Sequence, residues 1–353
     1  GVTGVEMGDL DGDGSVDLFD TGANRVAYRG TPGDWTLTTA LKPPSGLPRS
    51  LSKRGLFWRL LSLDGDAQPE WLDMSPDRPR LTPTVFSWLP AAGWRRDLAY
   101  SVPLDLAAFD KVDLGVRFID LDGNGYPDLV WSRRRNDGGL DEAAYIFQAG
   151  ADDPWLKDDR YILPKVLVGE DYKDTGVMLA DVSGDGVVDL ISARRENGRD
   201  DLETYVNCTR MAQCEGIPSS QRSGFWVSAR TAPEFAGLVP PEAAVDADNG
   251  PLGVRLVDIN GNGLTDLVVS RLIETEVDTT PEERATSGLL KKPAYELYAR
   301  TYLNIDGKRW QETPAYRLPV PGVRPLVRDP VTGVGDDEAF QGYKVVDNSV
   351  QVL

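Results

Sequence analysis

A chain of 353 residues is long enough for two or three ordinary domains, or for one domain built from repeats. Its 41% hydrophobic content supports a sizeable core, while a net charge of −18 disfavours nucleic acid, which needs a basic face. Histidine is absent, which removes the usual general base, the Ser-His-Asp triad and His-ligated zinc or iron.

In chain order, Gly4-Val5 leads into the first of a set of recurring loops, Asp9-Leu-Asp11-Gly-Asp13-Gly-Ser15-Val-Asp17-Leu. A β-rich run at Val26–Tyr28 and a tryptophan, Trp35, follow. A worn copy comes next, Ser62-Leu-Asp64-Gly-Asp66-Ala-Gln-Pro-Glu70-Trp, then Val85-Phe86 and Trp94. The third unit has Gly115, Asp120-Leu-Asp122-Gly-Asn124-Gly-Tyr126-Pro-Asp128-Leu, Tyr145–Phe147 and Trp155. In the fourth, Gly176 precedes Asp181-Val-Ser183-Gly-Asp185-Gly-Val187-Val-Asp189-Leu, and Tyr205-Val-Asn207 precedes Trp226. The fifth has Gly253, Asp258-Ile-Asn260-Gly-Asn262-Gly-Leu264-Thr-Asp266-Leu, Tyr302-Leu-Asn304 and Trp310. Gly342–Asp347 has the spacing of a sixth lead-in, without its loop.

The flanks are short, alternating and rich in β-branched or aromatic residues, which predicts strands. A unit of about 60 residues with several short strands reads as one four-stranded blade, its tryptophan an anchor between blades. The fold expected is therefore all-β, a single β-propeller domain over 1–353 with five to six recognisable blades and seven when complete. Its loops lie at 9–17, 62–70, 120–128, 181–189 and 258–266. The later units carry insertions, including Cys208–Cys214 and the charged stretch Glu274–Lys292, and insertions are where specific binding would reside. The two cysteines either close a small disulfide loop or remain thiols. Asn207-Cys208-Thr209 also matches the glycosylation sequon. There is no signal peptide and no run of apolar residues long enough to span a membrane. An opening almost inside the first motif points to a truncated or processed start and a larger parent protein.

Oxygen ligands at loop positions 1, 3, 5 and 9, with a backbone carbonyl at 7, suit a hard cation such as calcium, and glycine at position 6 permits the turn. The predicted ligands are Asp9, Asp11, Asp13, Ser15 and Asp17 in loop 1. Loop 2 offers Asp64, Asp66 and Glu70, and whether it binds metal is left open. Loop 3 offers Asp120, Asp122, Asn124, Tyr126 and Asp128. Loop 4 offers Asp181, Ser183, Asp185, Val187 and Asp189, and loop 5 offers Asp258, Asn260, Asn262, Leu264 and Asp266. The expectation is three to five Ca2+ ions. An EF-hand is excluded, because position 12 lacks its glutamate and the flanks read as strands. Metal-free Asp/Gly turns are the competing explanation. Against it, fifteen of the acidic residues sit at ligand positions, and without them the net charge would be close to −3. The acidity belongs mostly to the loops.

These loops and their Gly-Val lead-ins resemble the FG-GAP/VCBS repeat family of integrin-α-like propellers, over nearly the whole chain. The resemblance implies calcium held in hairpin loops on one face. The fuller unit, with Tyr-x-Asn, a later Trp, Pro and Gly-Val-Arg-x-x-Asp, looks like the propellers of bacterial Rhs and toxin-complex B-type proteins, where a propeller docks on or gates a toxin-enclosing cocoon. Lectins and some polysaccharide lyases also use similar calcium-loop propellers.

The function expected is a calcium-stabilised, secreted, cell-surface or periplasmic binding and scaffolding module. Its partner would be a protein, a carbohydrate or other domains of a larger assembly, with no nucleic acid and no membrane span. The alternatives are a docking or gating propeller of an Rhs or toxin-complex assembly, and a polysaccharide lyase or hydrolase. Arg133, Arg194 and Arg271 recur shortly after the loops and suit an acidic sugar, but recurrence at equal positions favours a structural role. No catalytic residue is nominated, and the chain is read as a non-enzyme.

Overall fold

The computed structural model describes residues 5–13, 15–20, 26–31, 34–42, 58–63, 68–73, 84–89, 93–97, 100, 102–104, 113–210, 214 and 217–318. The chain divides into two compact units, one of residues 1–162 with 170–172 and one of residues 163–169 with 173–353. Both are predominantly β and built from small antiparallel sheets.

The first unit holds three four-stranded meanders, each with its strands in chain order. Sheet I comprises β1 (Val5–Gly8), β2 (Asp17–Asp20), β3 (Ala27–Thr31) and β4 (Asp34–Thr38). Sheet II comprises β5 (Trp58–Leu61), β6 (Glu70–Asp73), β7 (Thr84–Leu89) and β8 (Gly93–Asp97). Sheet III comprises β9 (Val116–Ile119), β10 (Asp128–Arg134), β11 (Leu140–Phe147) and β12 (Trp155–Lys157). The sheets pack face to face on apolar layers. Leu10, Ala27 and Leu41 meet Trp71, Trp88 and Trp94, while Leu63, Leu72 and Val85 meet Leu129, Phe147 and Trp155. Fully burying a Leu, Val or Phe side chain in such a layer contributes about 1.5–3 kcal/mol.

The second unit opens with sheet IV, whose core is β13 (Val177–Ala180), β14 (Asp189–Glu196) and β15 (Arg199–Asn207). Beyond β15 lie β16 (Arg222–Ser223) and β17 (Trp226–Ser228). Beyond β14 lie β18 (Val245–Asp246) and β19 (Gly250–Pro251), with β18 pairing parallel to β14. Sheet V comprises β20 (Val254–Val257), β21 (Asp266–Asp278), β22 (Lys291–Ile305) and β23 (Arg309–Thr313). Met178, Ala180, Ile191 and Ala193 pack against Val254, Leu267 and Val269.

The expected insertions are real and differ in kind. Cys208 and Cys214 form a disulfide, and both are buried in a small separate core with Val206, Val227, Phe235 and Leu238. Asn207 is fully buried, and its side-chain carbonyl accepts from the Thr209 N–H and hydroxyl, so the sequon is closed to modification. The charged stretch Glu274–Lys292 is an outgrowth of sheet V itself. There β21 and β22 continue as a two-stranded ribbon capped by α1 (Pro281–Ser287). A Thr280–Glu283 capping box starts that helix and a left-handed Gly288 ends it.

Of the tryptophans expected as anchors, Trp94, Trp155 and Trp226 are buried. Trp310 is half-buried and Trp35 is 42% exposed, whereas Trp94 and Trp155, which also lie on edge strands, pack against the neighbouring sheet. Asp64, Asp66 and the sixth lead-in at Gly342–Asp347 lie outside the described residues. Among the described residues no helix is long and apolar enough to cross a membrane.

Candidate metal centres

All five loops join the first and second strands of a sheet, in one register. The last residue of the first strand pairs with the position-9 acid: Gly8 with Asp17, Leu61 with Glu70, Ile119 with Asp128, Ala180 with Asp189 and Val257 with Asp266. The lead-in glycine sets this up. Gly176 and Gly253 adopt φ of +76°, and a Cβ at either would strike the carbonyl of Ala193 or Ser270, with which each pairs.

The position-9 acid is buried in every loop, at 0–3% exposure. One of its oxygens accepts the N–H of position 2, from Leu10, Leu63, Leu121, Val182 and Ile259 in turn, at 2.7–3.1 Å. In four loops the other oxygen accepts an N–H from the third strand, from Gly30, Phe147, Asn207 and Asn304, at 2.7–2.9 Å. The acid therefore closes the loop and ties it to the sheet. Spacing alone suggests the residue as a candidate ligand but does not reveal this brace, since the second bond depends on strand pairing.

Position 1 organises the turn. Asp120 Oδ1 accepts from Gly123 and Asn124, and its Oδ2 from Gly125; Asp258 repeats the pattern with Gly261, Asn262 and Gly263. Position 5 accepts from the N–H of position 7 in each intact loop, Asp13 from Ser15, Asn124 from Tyr126, Asp185 from Val187 and Asn262 from Leu264. These bonds turn the position-7 N–H onto a side chain and leave its carbonyl for another partner.

Carboxylate oxygens of Asp9, Asp11 and Asp17 all lie within 4.8 Å of one another, as do those of Asp120, Asp122 and Asp128. In loop 4, Ser183 donates to Asp181 across 3.4 Å, and Asp185 stands close enough to raise the Asp189 pKa. Burial, with neighbouring carboxylates adding to it, pushes Asp128 and Asp189 each up to about 8. Burial likewise raises Asp17, Asp185 and Asp266, whereas the Gly263 N–H and its neighbours hold Asp258 below the usual range.

The donor set fits a hard cation. Two buried carboxylate oxygens, Asp11 Oδ1 and Asp185 Oδ2, have no hydrogen-bond partner among the described residues, and each sits in a loop with other acids. An unsatisfied buried carboxylate oxygen is costly, and a cation would offset both that cost and the repulsion. Asp11 also carries a neighbour that the repeat pattern does not reveal, the Arg29 guanidinium on its Oδ2.

The recurrent arginines are engaged locally. Arg133 pairs with its cross-strand neighbour Asp141 and lies over Tyr172. Arg194 reaches the Asp174 carbonyl and Glu196. Arg271 donates to the Leu252 carbonyl, stacks on Tyr298 and lies 3.5 Å from Glu242. Glu242 also accepts the hydroxyls of Tyr298 and Tyr302, at 2.7 and 2.9 Å, and burial, with these bonds adding to it, holds both phenols above their ordinary pKa. The sequence offered no signal for that cluster, because its members are spread over three separate segments.

No protein-family profile matches the sequence, and no curated protein sequence matches it. Among solved structures, the chain is similar to a mutant Tc holotoxin pore of Photorhabdus luminescens, with a TM-score of 0.46 and 17% identity over 88% of this chain. The chain spans 12% of the length of that protein.

Proposed function

We propose that the chain is a calcium-stabilised β-propeller scaffold, each sheet a blade pinned by a metal loop at one end. The observation that carries this reading is the fivefold repetition of one loop register, closed each time by a buried acid. Two further features support it. Within each unit neighbouring sheets pack face to face, and loops of neighbouring sheets touch: Gln68 of loop 2 donates to the Asp11 carbonyl, and a Cβ at Gly184 of loop 4 would meet Leu264 of loop 5.

Calcium would be held by the side chains of Asp9, Asp11, Asp13 and Asp17 with the Ser15 carbonyl, and by the corresponding residues of loops 3, 4 and 5. The ion would supply positive charge against carboxylates that the fold forces together, so its binding would be part of the folding free energy. At a calcium concentration a hundredfold above Kd, one such site stabilises by about 2.7 kcal/mol. Thermal unfolding in millimolar calcium and in chelator tests the reading, with a clear rise in Tm expected. An unchanged Tm would sink it.

The role that follows is binding and scaffolding, with the partner contacted through the insertions on sheets IV and V. The local engagement of Arg133, Arg194 and Arg271 favours a structural role for them over contact with an acidic sugar. The Tyr-x-Asn element, present as Tyr205–Asn207 and Tyr302–Asn304, supports a second reading as the docking propeller of a larger toxin-type assembly.

A further inference from the structure

We infer that Asn304 couples metal loops 4 and 5, so that calcium bound at one strengthens binding at the other; this rests on the calcium reading above. A single residue touches both loops. The Asn304 backbone N–H donates to Asp266 Oδ1 of loop 5 at 2.8 Å, and its side-chain Nδ2 donates to the Val182 carbonyl of loop 4 at 2.8 Å. Nδ2 also reaches the Thr265 carbonyl at 3.2 Å, so two acceptors fix which end of the amide is the donor.

The contact lands on a particular peptide. The group whose carbonyl belongs to Val182 carries the N–H of Ser183, and that N–H donates to Asp189 Oδ2 at 2.8 Å. A continuous path therefore runs from Asp266 through Asn304 and the 182–183 peptide to Asp189, joining the position-9 acids of neighbouring loops. Asp189, Asp266 and Asn304 are each fully buried, and Val182 with them. In such a low-dielectric setting the 182–183 amide, held by Asp189 at one end and Asn304 at the other, is polarised by both bonds. The step from the Asn304 side chain to its backbone N–H is mechanical, so that a shift of either loop moves the residue that holds the other. Ordering one loop also removes part of the entropy that the other must lose. Sequence shows only that both Tyr-x-Asn elements precede a tryptophan; the bridge across 122 residues exists only in the fold.

Two glycine amides report the loops separately. Gly186 donates to Asp181 Oδ2 at 2.8 Å and Gly263 to Asp258 Oδ2 at 2.7 Å. The experiment titrates calcium chloride into the full chain labelled with 15N-glycine and follows both amide resonances. Asp258→Asn, which weakens loop 5, is expected to raise the calcium midpoint at Gly186 by about fivefold. In an Asn304→Ala background the same substitution is expected to move that midpoint by less than about twofold. An unmoved Gly186 midpoint in Asp258→Asn alone overturns the coupling, whether or not Asn304→Ala folds. An equal shift in both backgrounds overturns the assignment to Asn304. If neither glycine responds to calcium in the parent chain, the calcium reading itself falls, a result distinct from the other two.

Discussion

Arg29, on β3, places its guanidinium against the carboxylate of Asp11 in loop 1. The Asp11 side chain is 4% exposed and the Arg29 side chain 43%, so the pair sits at the edge of the loop with the acid inside. Arg29 directly precedes Gly30, whose N–H braces Asp17. The equivalent residues before Phe147, Asn207 and Asn304 are Ile146, Val206 and Leu303, all uncharged. Loop 1, the most acidic by sequence, thus carries a fixed cation of its own.

Replacing Arg29 with alanine should therefore act in opposite directions in two buffers. In chelator, Asp11 loses its counter-charge and stability falls by about 1–2 kcal/mol, below the value for a fully buried pair because Arg29 is solvent-screened. In calcium the ion meets no competitor, so the calcium-induced rise in Tm should exceed that of the parent chain. A rise equal to or smaller than the parent's would show that Arg29 does not compete with the cation.

The nine-residue loops were legible in the sequence because every group they need is local, and position 9 falls at a fixed place in each hairpin. What was not legible depends on pairing between strands. Arg29 meets Asp11 only because β3 returns beside β2, and Glu242 meets Tyr298 and Tyr302 only because the segment before β18 folds back on β22. The exposure of Trp35 has the same origin, since recurrence as a motif does not say whether a neighbouring sheet covers the ring, as it does for Trp94 and Trp155.

Positions 5 and 9 of loop 4 should separate metal binding from structural bracing. Asp189 accepts three backbone N–H groups, from Val182, Ser183 and Asn207. Asp189→Asn turns an amide NH2 onto at least one of those donors and should cost about 2–3 kcal/mol even in chelator. Asp185→Asn keeps an acceptor for Val187 and removes a charge whose Oδ2 has no hydrogen-bond partner among the described residues. In chelator it should change stability by less than about 0.5 kcal/mol, while reducing the calcium-induced gain. Urea unfolding of both variants, with and without calcium, reads the difference. Equal losses in chelator would contradict it.

Glu242 should behave as a brace with no dependence on metal. Alanine there leaves two tyrosine hydroxyls and Arg271 without their shared acceptor, in a setting where Glu242 is 9% exposed. The expected loss is about 2–4 kcal/mol, while Glu242→Gln, which retains one acceptor oxygen, should cost about 1 kcal/mol. Both losses should be the same in calcium and in chelator. A calcium-dependent difference would place this cluster within the metal chemistry, contrary to its geometry.

The Cys208–Cys214 disulfide should stabilise one part of the second unit rather than the whole chain. It closes a short loop of sequence separation 6, for which chain entropy gives about 2 kcal/mol. Both cysteines lie in the satellite core with Val206, Val227, Phe235 and Leu238, apart from the layer that joins sheets IV and V. Arg222 further ties the segment down through the carbonyls of Cys214 and Ile217. Replacing both cysteines with serine should therefore speed amide exchange at Val206, Val227 and Phe235, whose N–H groups are hydrogen-bonded to the backbone. Leu129 and Val130, central in β10 of sheet III, should exchange as in the parent chain. Exchange accelerated equally at both places would show that the disulfide supports the chain globally. The satellite core would then be part of the main one, against the separation seen in the packing.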